Sequence, residues 1–285
     1  SFDRPPASPT RALSEDTLSA AYDASCGTLV RSVPLPRLAP PREPTSAPGP
    51  PHTKDTNVIP IRDENPTRSV PWVTIALIAA NVGVFVYENS LDPRALESFW
   101  YTWSTVPARL LADPFSPAGI ATVFTSMFMH AGWVHLIGNM LYLWIFGNNI
   151  EDRLGPVRFI LFYLVAGIVG ASAQIVTAPS SPIPMLGASA AIAGVLGGYL
   201  LLYPGASIVT IIPVFFFIEV ARVPAYLVIG FWFVLQLGSG LASLGTAATT
   251  GGTAWFAHIG GFIAGLILAL PARHSAKRRR PRRYR

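Results

Sequence analysis

The sequence predicts an all-α membrane protein, a bundle of six transmembrane helices with a long outer first loop. Composition is the first observation behind it: 51% of residues are hydrophobic and only 13% charged, against about 25% charged in soluble domains, and the mean hydropathy is +0.43. Apolar runs near the ~20 residues that a helix needs to cross hydrocarbon recur six times. The basic residues also gather in alternate connections between those runs, the asymmetry that orients a membrane protein.

Residues 1–57 stand apart from this pattern. They are crowded with Pro, Ser and Arg, as in Pro48, Gly49, Pro50 and Pro51, and cannot bury enough apolar surface to offset their ordering entropy, so disorder is expected. They lack the apolar stretch of a signal peptide. Because the chain begins with Ser1 rather than Met, translation is expected to start at Val58 from a non-standard codon, with the preceding residues outside the natural product. N-terminal sequencing that found residues before Val58 would reject this.

The spans fall near 71–88, 132–150, 157–177, 187–203, 224–242 and 252–270, within a domain of residues 58–271. The run Ser207–Ile218 is short, contains Pro213 and meets Glu219 and Arg222 at once, which predicts an interfacial or re-entrant piece rather than a seventh crossing. Arg62 and Arg68 precede the first span, Arg153 and Arg158 follow the second, Arg222 separates the fourth from the fifth, and a basic tail, 272–285, follows the sixth. Those faces are read as cytosolic. The linkers 178–186 and 243–251 carry no charge, while 89–131 balances Arg94 and Arg109 against Asp92, Glu97 and Asp113. Six crossings with both termini in the cytosol, in a bacterial plasma membrane, satisfy all of these placements. Phe99, Trp100, Tyr101, Trp103 and Phe115 in the long linker predict a structure lying at headgroup level in the outer leaflet. The net charge of +6 resides largely in the tail, which predicts contact with anionic membrane lipids and no nucleic-acid partner. The single cysteine, Cys26, allows no internal disulfide and no thiolate cage.

Polar residues inside apolar spans are costly and are usually kept for work or for mutual pairing. Here they are His135 and Asn139 in the second span, Ser189 opening the fourth and His258 in the sixth. The fourth and sixth spans run in the same direction, so Ser189 and His258 lie at the same depth near their outer ends. Ala190, Gly194 and Gly198, and facing them Gly261 and Gly265, repeat every four residues, the spacing that lets membrane helices pack closely. Such packing would bring an imidazole within the 2.6–3.2 Å or so that activates a serine hydroxyl. His135 and Asn139, four apart on one helical face, both donate hydrogen bonds, as an oxyanion hole requires. Each residue has a plainer reading: Gly187 and Ser189 as helix-contact residues, His258 as a structural histidine, Asn139 as packing glue. His130 is read as a loop residue at the entrance, and Glu151 as part of an interfacial ion pair. With no His-Glu-x-x-His and no acid assigned to membrane depth, no metal site is expected.

Four fragments taken together carry a resemblance. H-A-G-W-V-H-L-I-G-N at 130–139, G-N-N-I-E-D-R-L-G at 147–155, G-A-S-A at 187–190 and A-H-I-G-G-F-I-A-G at 257–265 resemble, in order and spacing, the rhomboid intramembrane serine proteases. The resemblance implies a six-helix core, a catalytic dyad of Ser189 and His258 without an acidic third member, and an oxyanion hole from the Ser189 backbone N–H, His135 and Asn139. It also implies cleavage of transmembrane segments of other proteins near the outer face, with no metal or cofactor. This chain departs from the family at Ala190, often Gly; at Ala193, a Tyr in some members that stacks on the catalytic histidine; and at Ala121–Thr122, where many members carry Trp-Arg. The histidine and the first loop must then be held by other neighbours. Two other classes compete: a non-catalytic rhomboid-like factor that binds membrane proteins, whose kind generally lacks the serine or the histidine, and a small transporter, which would show internal repeats or acids at depth.

Overall fold

The computed structural model describes residues 59–214, 217–244 and 253–275. The expectations for residues 1–57, for Val58 as the start and for the basic residues from Ala276 onward lie outside the described residues. The described chain is a mostly helical, multi-pass membrane bundle. Its elements in order are β1 (Ile59–Asp63), α1 (Trp72–Ser90), α2 (Pro93–Trp103), α3 (Pro107–Ala112), α4 (Pro117–Thr125), α5 (Trp133–Tyr142), a π-helical segment (Leu143–Gly147), α6 (Asn148–Leu154), α7 (Pro156–Thr177), α8 (Ser189–Leu202), β2 (Ser207–Val214), β3 (Phe217–Pro224), α9 (Ala225–Ser243) and α10 (Trp255–Ser275).

By length and apolarity α1, α7, α9 and Trp255–Arg273 of α10 are each long enough to cross a membrane, and Pro117–Phe128 with Trp133–Leu154, bent by 83°, makes a fifth candidate. The apolar α8 has 14 residues, about 21 Å at the helical rise and so shorter than a hydrocarbon core of roughly 30 Å. It is apolar all round, as an enclosed helix must be, and Ala191 through Tyr199 are all buried. The helices packed against it are chiefly α7 and α10.

Local chemistry sets the helix ends. Pro occupies the first turn of α2, α3, α4 and α7, where its missing N–H removes no helical bond. The Asp92 side chain accepts from the backbone N–H groups of Arg94 and Ala95, and Gly155, at φ +82°, turns the chain from α6 into α7. Glu151, expected in an interfacial ion pair, instead caps α1. Its carboxylate, on a residue only 3% exposed, accepts from Val73 N (2.9 Å), Thr74 N (2.8 Å) and the Thr74 hydroxyl (2.8 Å). Unpaired N–H groups at a helix start attract a carboxylate held there. Asp152 ties down the segment just before α1, accepting from Arg68 N, Ser69 N and the Ser69 hydroxyl.

A three-stranded antiparallel sheet in the order β1-β2-β3 adds to the helical architecture. Most of the segment expected to be interfacial or re-entrant forms β2, and its last two residues, Phe217 and Ile218, open β3. Val, Ile and Thr dominate β2, residue types that suit a pleated, half-buried surface. The Tyr199 hydroxyl donates to Asp63 (3.0 Å) and Asn149 Nδ2 donates to the same carboxylate (2.6 Å), tying β1 to the end of α8 remote from Ser189. Across the hairpin from there, Arg222 pairs with Glu64 at 2.8 Å.

Candidate active site

Ser189 is the first residue of α8, so its backbone N–H has no helical acceptor one turn earlier. The segment leading to it is pinned from both sides. Met185 N donates to Thr105 O (2.8 Å), and Gly187 N to Ser126 O (2.9 Å). Gly187 has φ +124°, in the left-handed region that favours glycine.

The small residues decide how near α10 comes. A methyl built on Gly261 or Gly265 would overlap the carbonyl oxygen of Ala190 or Gly194 respectively, and one on Gly197 that of Phe262. Backbone therefore rests on backbone along this seam. Gly194 also faces Ala166 of α7, whereas the nearest neighbour of Gly198 is the Phe162 ring, 3.0 Å from a Cβ at that position. At the upper end of the seam the Ser189 hydroxyl lies 2.7 Å from His258 Nε2. Ser189 is only partly buried while His258 is buried.

The other nitrogen of the ring is occupied too. His258 Nδ1 lies 2.7 Å from Oε1 of Gln236 on α9. The indole of Trp232 lies over the imidazole, with centroids 6.0 Å apart and planes at 33°, and Trp255 meets it edge-on at 6.4 Å. With Ala at position 193, the side chains from α9 that neighbour His258 are Gln236 and Trp232. Sequence reasoning missed Gln236; the available signal was an amide well inside an otherwise apolar span.

On the opposite side, His135 Cε1 and Nε2 would each lie 2.8 Å from a Cβ on Gly187, and that Cβ would lie 3.6 Å from Ser189 Oγ. Gly187 thus leaves the space through which the His135 ring comes up to the serine. Asn139 is buried, and its Nδ2 donates to His130 Nε2 at 2.9 Å. His130, expected to be an entrance loop residue, does lie in the non-helical segment before α5, but it is 1% exposed and meets His135 edge-on at 5.0 Å. It holds Asn139 and His135 together.

A buried acid stands near the end of α1. Glu88, 1% exposed, accepts from the Trp100 indole (2.9 Å) and from His130 N (3.2 Å), joining α1, α2 and the segment before α5. Arg109 adds a second anchor, donating to the carbonyls of Tyr101 and Ser104, and the Thr125 hydroxyl donates to Trp103 O. These contacts hold the first loop without the Trp-Arg pair. Among the described residues no three His, Cys, Asp or Glu side chains cluster as metal ligands.

Comparison with known proteins finds relatives of this chain. Rhomboid protease GluP of Bacillus subtilis is 36% identical over 151 residues, which is 52% of this chain and 26% of that protein. Rhomboid-like protease 3 of Toxoplasma gondii is 26% identical over 70% of this chain and 68% of its own length. Rhomboid protein 1, mitochondrial, of Saccharomyces cerevisiae is 27% identical over 73% and 55% respectively. The chain therefore spans only about a quarter of GluP and about half of the yeast protein. The Rhomboid domain profile matches residues 117–275, more than half of the sequence and a stretch that holds every residue of the site except Glu88, Trp100 and the loop contacts around Thr105: the chain belongs to the rhomboid family.

Proposed function

We propose that the chain is an intramembrane serine endopeptidase that cleaves transmembrane segments of other membrane proteins near the outer face. The observation that carries this reading is the 2.7 Å contact between the Ser189 hydroxyl and His258 Nε2, across a helix seam that small residues hold closed. Six crossings, with both termini in the cytosol and α8 enclosed by its neighbours, would set Ser189 below the outer surface.

A substrate helix hides its carbonyls in its own hydrogen bonds and must unwind before Ser189 can reach one. His258 Nε2 takes the hydroxyl proton as Ser189 Oγ attacks the exposed carbonyl carbon. Negative charge then builds on the carbonyl oxygen, where the Ser189 backbone N–H, His135 and the second N–H of Asn139 donate to it. Collapse of the tetrahedral intermediate breaks the C–N bond, and His258 gives its proton to the leaving amine. Water entering from the outer side attacks the acyl ester with His258 again as base, freeing Ser189 and the new carboxyl end. No step calls on a metal or cofactor.

We assign residues 58–271 to the protease domain and the tail 272–285 to anionic lipid at the cytosolic face of a plasma membrane. Reconstitution with a tagged single-pass substrate in liposomes tests the activity. Wild type should cut and Ser189→Ala should not. A folded wild type that cuts none of several substrates would instead favour a binding factor.

A further inference from the structure

Granted the proteolytic reading above, we infer that Gln236 is a positioning residue that fixes the tautomer and the orientation of His258. Four observations meet on it. Its Oε1 lies 2.7 Å from His258 Nδ1, and a carbonyl oxygen only accepts, so Nδ1 carries the ring proton. A neutral imidazole protonated at Nδ1 leaves a lone pair on Nε2, and that atom is 2.7 Å from the Ser189 hydroxyl. The amide thereby selects the one tautomer in which the ring accepts from the serine.

The second observation is burial: Gln236 is 8% exposed on a helix whose other buried residues are Ala225, Val228, Ile229 and Gly240. An amide withdrawn from water in apolar surroundings costs free energy unless it is paired, and His258 supplies the pairing. Third, Trp232 lies four residues earlier and so on the same face. It covers the ring that Gln236 holds by its edge. Fourth, one turn beyond Gln236, a Cβ on Gly240 would lie 3.2 Å from Ile259 and 3.3 Å from Trp255, so the glycine lets α9 approach α10 closely enough for the bond.

The amide does further work when the proton moves. As His258 becomes imidazolium, both ring nitrogens carry hydrogens, and the Gln236 carbonyl dipole still accepts from Nδ1 beside the growing charge. From other elements Gln236 and Ser189 bond to the ring and Trp232 packs against it, and His135 is the titratable side chain whose charge would act on it. A neutral amide at the third position favours the charged ring less than a carboxylate would.

The test compares wild type, Gln236→Leu and Gln236→Glu in proteoliposomes, with kcat and KM measured against pH. Gln236→Leu should lower kcat by about 10- to 100-fold, less than the roughly 10²- to 10⁴-fold that acid–base catalysis supplies in full, because the ring stays in place but loses its fixed tautomer, with KM within about twofold. Gln236→Glu should restore turnover and move the acid limb of the profile to higher pH. Imidazole ¹⁵N resonances of His258 in wild type at neutral pH should report hydrogen on Nδ1, a readout that needs neither a folded variant nor cleavage. An Nε2–H tautomer in wild type, or wild-type kcat and an unmoved pH profile in both variants, would overturn the inference. Failure of wild type to cleave would count against the proteolytic reading instead, and the tautomer measurement would still decide the role of Gln236.

Discussion

The α-carbon of Gly265 rests against the carbonyl oxygen of Gly194, so closely that a methyl group there would overlap it. One turn nearer the site, Gly261 bears the same relation to Ala190. Since the obstacle is backbone rather than a mobile side chain, Gly261→Ala must push α10 off α8 and draw His258 away from Ser189. A displacement of about 1 Å costs on the order of 10²-fold in rate. Cleavage kinetics should show that loss with a lowered melting temperature in detergent, whereas Gly230→Ala, with nothing within 4 Å of its Cβ, should show neither.

Gly187→Ala separates site geometry from fold. The new methyl would meet His135 at 2.8 Å, and the backbone would keep φ +124°. Strain of this kind costs about 1–3 kcal/mol. The variant should remain folded by circular dichroism while kcat falls by about 10²-fold.

Glu151→Ala should act on stability alone. It strips acceptors from the backbone N–H of partly buried Val73 and from the N–H and hydroxyl of buried Thr74, at a cost of about 1–3 kcal/mol for each buried group left unpaired. Melting temperature should fall. In the fraction that stays folded, kcat should be that of wild type, because no Glu151 contact reaches Ser189.

Asp63 gives the sheet end of the molecule a pH dependence. Burial holds its carboxyl above the ordinary value of 3.8, against opposing hydrogen bonds from Tyr199 and Asn149. The folded state therefore keeps this proton to higher pH than the unfolded state does. The stability it contributes is present in acid and is lost as pH rises from the ordinary value through the raised one. Asp63→Asn should remove that component, seen as a flatter melting temperature across the acid range in thermal scans.

What the sequence made legible follows the range of the interactions. Apolar runs and four-residue glycine spacing are local signals, and they mark the helices and the seam where α8 meets α10. Gln236 carried no periodic partner, because its bond is to a residue on another helix. Glu88 shows no pattern with Trp100 or His130 along the chain, and only the fold puts the Trp100 indole and His130 N on its two oxygens. The sheet was hidden for a related reason: a short Ile- and Val-rich run such as Ser207–Val214 reads equally as a re-entrant piece until Ile59–Asp63 pairs with it. Gly198 fits a repeat of four, but 3.6 residues per turn bring Gly197 rather than Gly198 onto the Phe262 carbonyl.

The central claim is that Ser189 is a nucleophile activated by His258. Its most direct test is to treat folded wild type and His258→Ala with a fluorophosphonate and to locate any adduct by mass spectrometry of the digested protein. The account predicts a phosphonyl group on Ser189 in wild type and none in His258→Ala. An adduct on another serine, no adduct on folded wild type, or equal labelling of Ser189 in both proteins would contradict it.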